Sequence, residues 1–224
     1  MFNYKISKQK IRENYYNGNI EFNTANKLLI NSFIKSNLLH NAFIEDNFKY
    51  VHFKCSSMYL LLDILNDLKS THIYKMIYDI TTQMQYLEKE KYGFIGFNPK
   101  HILVINYYTF LYINGEYLEK IDKQNNIEIK YPPNSNEYIL APELYNITEL
   151  PYKINYKCGY YSVGILYLYM FKIIETKNTL NIDTNDVEEI SQLLKSLSIN
   201  HTKFFHFFQR CLHKNPINRL ILFI

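Results

Sequence analysis

The sequence predicts an α+β fold, and three observations carry that expectation. Short aromatic and β-branched runs recur between residues 42 and 131, in the pattern of strands bounded by turn residues. A stretch from His72 to Lys89 places Ile73, Met76, Ile77, Ile80, Met84 and Leu87 on one face at helical spacing. The final third reads as helix over residues 158–175, 184–197 and 201–213. Its run from Tyr160 to Phe171 is apolar all round but shorter than the roughly 20 residues that span a bilayer, so it is expected as a buried core helix.

The elements follow in order. Residues 1–23 are polar, with Gly18 and the pair Tyr15 and Tyr16, and read as a short irregular or helical arm. Asn23 or Thr24 is suited to cap a helix running to about Ser36, on a stripe that includes Leu28, Leu29, Phe33 and Ile34. Ala42 to Ile44 and Phe48 to Phe53 read as strands. Ser56 and Ser57 precede a helical reading of Tyr59 to Leu65, and the helix from His72 comes next. Ile102 to Ile105 and Phe110 to Ile113 are short strands. Asn114-Gly115 suits a tight turn, so this segment is expected as a hairpin. Ile127 to Tyr131 alternates as a further strand, and Pro132 to Asn136 reads as a loop.

Composition narrows the function classes. The 224 residues are 47% hydrophobic and 21% charged, a globular balance with enough chain for one large domain or two small ones. The formal net charge of +4 comes without any run of four basic residues, so no nucleic-acid partner is expected. Asn, Ile, Lys and Tyr are abundant, with 22 Tyr and no Trp. A/T-rich codons and core packing account for them better than a base-stacking surface does. Cys55, Cys158 and Cys211 are odd in number and widely spaced, which argues against a disulfide framework and suits a reducing, intracellular compartment. The first residues lack the apolar core of a signal peptide, so no membrane association is expected.

Three strings carry a resemblance. Ala141-Pro142-Glu143, then Gly159-Tyr160-Tyr161-Ser162-Val163-Gly164, then Cys211-Leu212 followed by Pro216 and Arg219 stand in the order and spacing of a eukaryotic-type protein kinase C-terminal lobe. Ala141-Pro142-Glu143 resembles the motif that closes the activation segment, and the resemblance implies a structural ion pair between Glu143 and Arg219. Tyr161 replaces the family's Trp, and Gly159 replaces the Asp that braces the catalytic loop. Upstream, Asn98-Pro99-Lys100-His101-Ile102-Leu103 resembles the segment after the His-Arg-Asp triplet, which falls on Phe94-Ile95-Gly96. His52 to Ser57 resembles the hinge, and Leu39 to Phe43 the stretch after the regulatory helix. The resemblance covers residues 24–222. It implies a protein-kinase-like fold with a mainly helical C-terminal lobe over 56–224, a reduced N-terminal-lobe segment and hinge over 24–55, and an arm over 1–23.

The same resemblance supplies a checklist for chemistry. Phosphoryl transfer on that fold needs a base Asp, two magnesium-binding side chains, a phosphate-contacting Lys and a Gly-rich cover. Gly96 stands at the base position and offers no side chain. His101 stands at a metal position, where hard magnesium prefers oxygen. The Asp of the second metal motif falls on Asn114 in one register and on Ile113 in the other, where Gly115 keeps the glycine, and either way the carboxylate is lost. No Gly-rich loop and no strand Lys motif precede residue 50; Lys27 and Lys35 lie on the expected helix. The implied protein is a pseudokinase without cofactor, acting through a protein partner or as a scaffold. The rival enzyme reading is a divergent Ser/Thr kinase using ATP and magnesium, with His101 or Asp122 recruited as acid or base. A third reading is an unrelated mixed α/β structural protein.

Other constellations weigh less. His201, His206, Cys211 and His213 cluster in sequence, but His206 and Cys211 are badly spaced for one helix face, and packing of an aromatic helix explains the segment better than zinc. Ser56, Ser57 and Ser162 lack a His–Asp relay in their sequence context. Glu88 with Glu90, and Glu188 with Glu189, read as solvated helix residues rather than catalytic pairs.

Overall fold

The computed structural model describes residues 4–12, 15–23, 26–145, 147–176, 187–196 and 202–221. In chain order the strands are β1 (Tyr4–Arg12), β2 (Tyr15–Phe22), β3 (Phe43–Glu45), β4 (Tyr50–Cys55), β5 (Met58–Leu60), β6 (Tyr92–Phe94), β7 (Gly96–Phe97), β8 (Ile102–Ile105), β9 (Thr109–Tyr112), β10 (Leu118–Lys120), β11 (Asn126–Ile129), β12 (Ile139–Leu140) and β13 (Tyr152–Asn155). The helices are α1 (Lys27–Ile34), α2 (Ser70–Lys89), α3 (Cys158–Thr176), α4 (Val187–Ser196) and α5 (Lys203–Cys211). Two compact units divide them. One takes residues 1–90 and 99–116, the other 91–98 and 117–224.

The first unit holds two antiparallel sheets. One is four-stranded in the order β1-β2-β4-β3, and the other runs β5-β8-β9. Period-two alternation puts Ile20 and Phe22 of β2 with Val51, Phe53 and Cys55 of β4 on one buried face. α1 starts where Asn26 accepts the Leu29 N–H at 3.0 Å, and it buries Leu29, Ile30 and Phe33. α2 buries Ile73, Met76, Ile77, Ile80, Met84 and Leu87, the stripe its spacing predicts.

β9 is the outer strand of its sheet, and two side chains of α2 occupy its edge. Asp79 accepts the Phe110 N–H at 3.0 Å. Gln83 accepts the Tyr112 N–H at 3.0 Å and donates to the Tyr112 carbonyl at 2.8 Å. Both side chains are fully buried. The Gln83 amide thus mimics one residue of a neighbouring strand, which satisfies backbone groups that burial would otherwise strand. Burial raises the pKa of Asp79, against the opposing pull of Lys75 and the Phe110 N–H.

The second unit contains three two-stranded antiparallel ladders, β6 with β10, β7 with β12 and β11 with β13. α3 lies against β7, β12 and α5. Tyr160, Tyr161, Val163, Leu166, Tyr167 and Phe171 are buried along it, as expected of a core helix. α5 comes so close that a Cβ on Gly164 would lie 3.0 Å from both Cys211 Cβ and a Leu212 methyl. Glycine at this position is what lets the two elements touch.

Several expectations require correction. A protein-kinase-like fold with a mainly helical C-terminal lobe and a reduced N-terminal lobe is overturned. Strands in small separate sheets run through both units, and the N-terminal residues build the largest sheet. Residues 92–94 pair with 118–120, 96–97 with 139–140, and 126–129 with 152–155, so strand ladders run between the helices of the second unit. Residues 4–12 and 15–22 form strands rather than an irregular or helical arm. Their polar composition belongs to an outer hairpin with one exposed side. Residues 58–60 are a strand paired with β8, followed by a 3-10 helix at Leu61–Asp67, not an α-helix from Tyr59.

The β8–β9 hairpin turns at Asn106 and Tyr107, both at positive φ (56° and 57°), and not at Asn114-Gly115. Asn106 tolerates that backbone. Its carboxamide oxygen accepts from Ser56 N at 2.7 Å, Ser56 Oγ at 2.9 Å and Ser57 N at 3.2 Å. This ties the turn to the entry of β5.

Replacing Gln83 with Leu strands two buried backbone groups of Tyr112. We expect Gln83→Leu to lower stability by about 2–4 kcal/mol in urea unfolding, against under about 0.5 kcal/mol for a substitution at exposed Lys89.

Candidate functional site

Glu143 lies in a 3-10 turn, Pro142–Leu144, directly after β12. Proline at the first position pre-sets this turn. Arg219 follows a second 3-10 turn, Pro216–Asn218, whose N-cap Asn215 accepts the Ile217 N–H. The structure brings the two side chains together. Arg219 Nη1 donates to Glu143 Oε1 at 2.5 Å, and Nη2 donates to Oε2 at 3.0 Å. Nε donates to the His213 carbonyl at 2.8 Å, while Nη1 and Nη2 also donate to the carbonyls of Lys157 and Lys214, each at 3.3 Å.

The guanidinium has five N–H donors, and these five contacts use all of them. Its carbon stands 4.9 Å from the centroid of the Tyr161 ring, which adds a cation–π contact. Arg219 is fully buried, and the Glu143 side chain is 23% exposed. A lysine could not reproduce this arrangement, because its ammonium is a point with three donors.

Gly96 belongs to β7 and pairs with Leu140 of β12, in the same unit as the ion pair. A Cβ here would lie 2.6 Å from a Leu140 methyl and 3.4 Å from the Ile139 carbonyl oxygen. The position lacks a carboxylate, and any side chain placed there would have to displace the Leu140 methyl. One residue earlier, the Ile95 carbonyl accepts from Ser162 Oγ at 3.0 Å, which ties α3 to this strand segment.

His101 and Asn114 lie in the first unit. His101 Nδ1 is 2.8 Å from the hydroxyl of Tyr4, whose ring meets the imidazole edge-on at 5.7 Å. The same hydroxyl lies 3.4 Å from the Lys100 carbonyl. Burial pushes the Tyr4 phenol up to about 12, so it stays protonated. Asn114 is buried, and its side-chain oxygen accepts the Glu116 N–H at 2.8 Å. Neither side chain is presented as a simple open ligand: a tyrosine covers one and a local turn engages the other.

Asp122, the other group considered for acid–base work, closes a turn. Its Oδ1 accepts from the N–H groups of Gln124 and Asn126, both at 2.8 Å, and Lys153 stands 3.5 Å from Oδ2. The Asn126 N–H, foremost among these contacts, holds the carboxyl below its usual range. A base of that kind is weak. Cys55, Cys158 and Cys211 are free and buried, and burial pushes all three thiols up, away from nucleophilic thiolate.

His206 contacts Gln209, His213 contacts Asn215, and Cys211 donates to the Leu220 carbonyl; His201 lies outside the described residues. Among the described residues no group of three His, Cys, Asp or Glu gathers as metal ligands do. Among the described residues, too, no helix is long and apolar enough to cross a membrane.

No family model matches the chain, and no curated protein matches it. Tyr4 was outside the reach of sequence reasoning, since nothing local links a strand residue at position 4 to an imidazole 97 residues away. The three carbonyl acceptors of Arg219 were equally hidden, because backbone groups leave no trace in residue identity.

Arg219→Ala is expected to destabilise by about 3–5 kcal/mol, since it strands Glu143 and three carbonyls. Arg219→Lys should recover less than half of that loss, which chemical denaturation of the three proteins will measure. Gly96→Asp should cost at least about 2 kcal/mol, from the clash with Leu140 and an unpaired carboxylate in a buried site. Thermal melts across pH check its cause, because protonating the new carboxyl at low pH should narrow the gap to the native protein.

Proposed function

We propose that this protein is pseudokinase-like, has no phosphoryl-transfer activity and acts by binding a protein partner. The observation that carries the reading is a contrast within the second unit. The Glu143–Arg219 pair, which the kinase resemblance implies as a structural element, is made with every donor used. The position that the same resemblance gives to the catalytic base is Gly96, hemmed by Leu140. Without a base, and with His101 and Asn114 already engaged, the groups that would clamp a transferring phosphoryl are missing.

A binding role also suits the surface beside Glu143. Pro132, Pro133, Leu140, Leu144, Tyr145 and Leu150 line a pocket of about 330 Å³, within the range of a recognition pocket. Free, buried cysteines favour a reducing intracellular setting.

The decisive assay mixes highly purified protein with magnesium, labelled ATP and a generic protein substrate. We expect no phosphate incorporation, and none from Glu143→Ala. Incorporation that Glu143→Ala abolishes would overturn the reading, because a contaminating kinase is indifferent to that substitution. Melting temperature offers an independent check. Magnesium ATP at a hundredfold its Kd would add about 2.7 kcal/mol, and we expect no rise.

A further inference from the structure

We propose that the free edge of β1 is a docking strand, to which an extended acidic segment of a partner protein adds as a further strand of the sheet. This rests on the reading of the protein as one that acts by binding, and names the surface it uses. β1 is the outer strand of the four-stranded sheet. It pairs with β2 in regular register from Tyr4 to Lys10 before an irregularity at Ile11. Lys5 and residues Ser7 to Ile11 are exposed, and among the described residues β1 makes no backbone hydrogen bond except to β2. Among the described residues a row of outward N–H and C=O groups is therefore unpaired along it, the template that β-strand addition uses.

The charge on that template is one-sided. β1 carries Lys5, Lys8, Lys10 and Arg12 and no acidic residue, a charge equal to the formal +4 of the whole chain. None of the three lysines is in an ion pair among the described residues. Glu21, opposite Lys5 in register, instead receives the Tyr50 hydroxyl. Alternation sends Lys8 and Lys10 to one face and Lys5 to the other, so cations flank the edge on both sides. Lys8 Nζ lies 5.2 and 5.1 Å from the ring centroids of Tyr16 and Tyr59, which hold it beside the strand.

These facts select the occupant. A second copy of β1 would set lysine against lysine, which cross-strand pairing disfavours. The opposite edge of the sheet, β3, is only three residues long, and its Glu45 already binds His52, so a head-to-tail stack of copies gains little. A nucleic acid would use the lysines and leave the backbone row unpaired. An extended acidic segment satisfies both.

The probe is a dye-labelled peptide of alternating Glu and Val, titrated by fluorescence anisotropy against the full chain. We expect binding, with slowed amide exchange in β1. The same peptide N-methylated at alternate residues keeps its charge but cannot pair, and should bind at least about tenfold more weakly, the worth of one or two net backbone hydrogen bonds. A charge-matched single-stranded oligonucleotide should fall short by a similar factor. The triple variant Lys5→Glu, Lys8→Glu, Lys10→Glu should exchange its preference to an alternating Lys–Val peptide.

Equal binding of the methylated peptide or the oligonucleotide would reduce β1 to a general anion attractor and sink the proposal. So would absent binding, an unchanged preference in a folded triple variant, or concentration-dependent self-association that the peptide fails to compete. The methylation comparison uses native protein, so it stands even if the triple variant does not fold. A blank peptide titration beside a blank phosphoryl-transfer assay removes the docking strand alone; phosphate transfer removes the binding-protein reading whatever the peptide does.

Discussion

The second unit depends on one buried cation. Arg219 is fully out of water, and removing a guanidinium from water costs several kcal/mol unless each donor finds an acceptor. Here Glu143 supplies charge, and the carbonyls of Lys157, His213 and Lys214 supply the rest. Those acceptors come from the turn after β12, the entry to α3 and the turn after α5. One side chain thus fixes three chain segments that are distant in sequence. α3 is seated from the other side by Ser162 on the Ile95 carbonyl and by its close approach to α5 at Gly164. The ionic centre and the packed helix constrain the same element.

The first unit solves a different problem, that of sheet edges. β9 is closed by Asp79 and Gln83, two polar residues fully buried on a helix whose inward stripe is otherwise mostly apolar. Among the described residues β1 has no such cover and carries lysines instead. The contrast gives the open edge its meaning: the protein closes one outer strand with side chains and leaves its longest one exposed.

Much of this was readable in the sequence, and the unreadable parts share a cause. The α2 stripe and the apolar run of α3 were legible because burial imposes periodicity on apolar residues. β8 and the Phe110 strand were legible as short apolar runs. The β1–β2 hairpin was not, because an outer hairpin with polar residues on its exposed side has little hydrophobic alternation to detect. Met58 to Leu60 looked helical because three residues are too few to distinguish period 2 from period 3.6. The mainly helical lobe failed for the same reason: two- to four-residue strands such as β7 and β12 are set by partners elsewhere in the chain. At the site, the kinase resemblance pointed to Glu143, Arg219, Gly96, His101 and Asn114 as positions of interest. It could not supply Tyr4 over His101, the Leu140 methyl against Gly96, or three carbonyls around Arg219, all of which are products of folding.

The long reach of the Arg219 contact also has a consequence during synthesis. Glu143 leaves the ribosome 76 residues before its partner. At the usual 5–20 residues per second, that is an interval on the order of 4–15 s. Throughout it the carboxylate has no guanidinium to close around, and the Lys157 carbonyl and the first turns of α3 join it partway through. The second unit therefore completes its ionic centre only once Arg219 has been made.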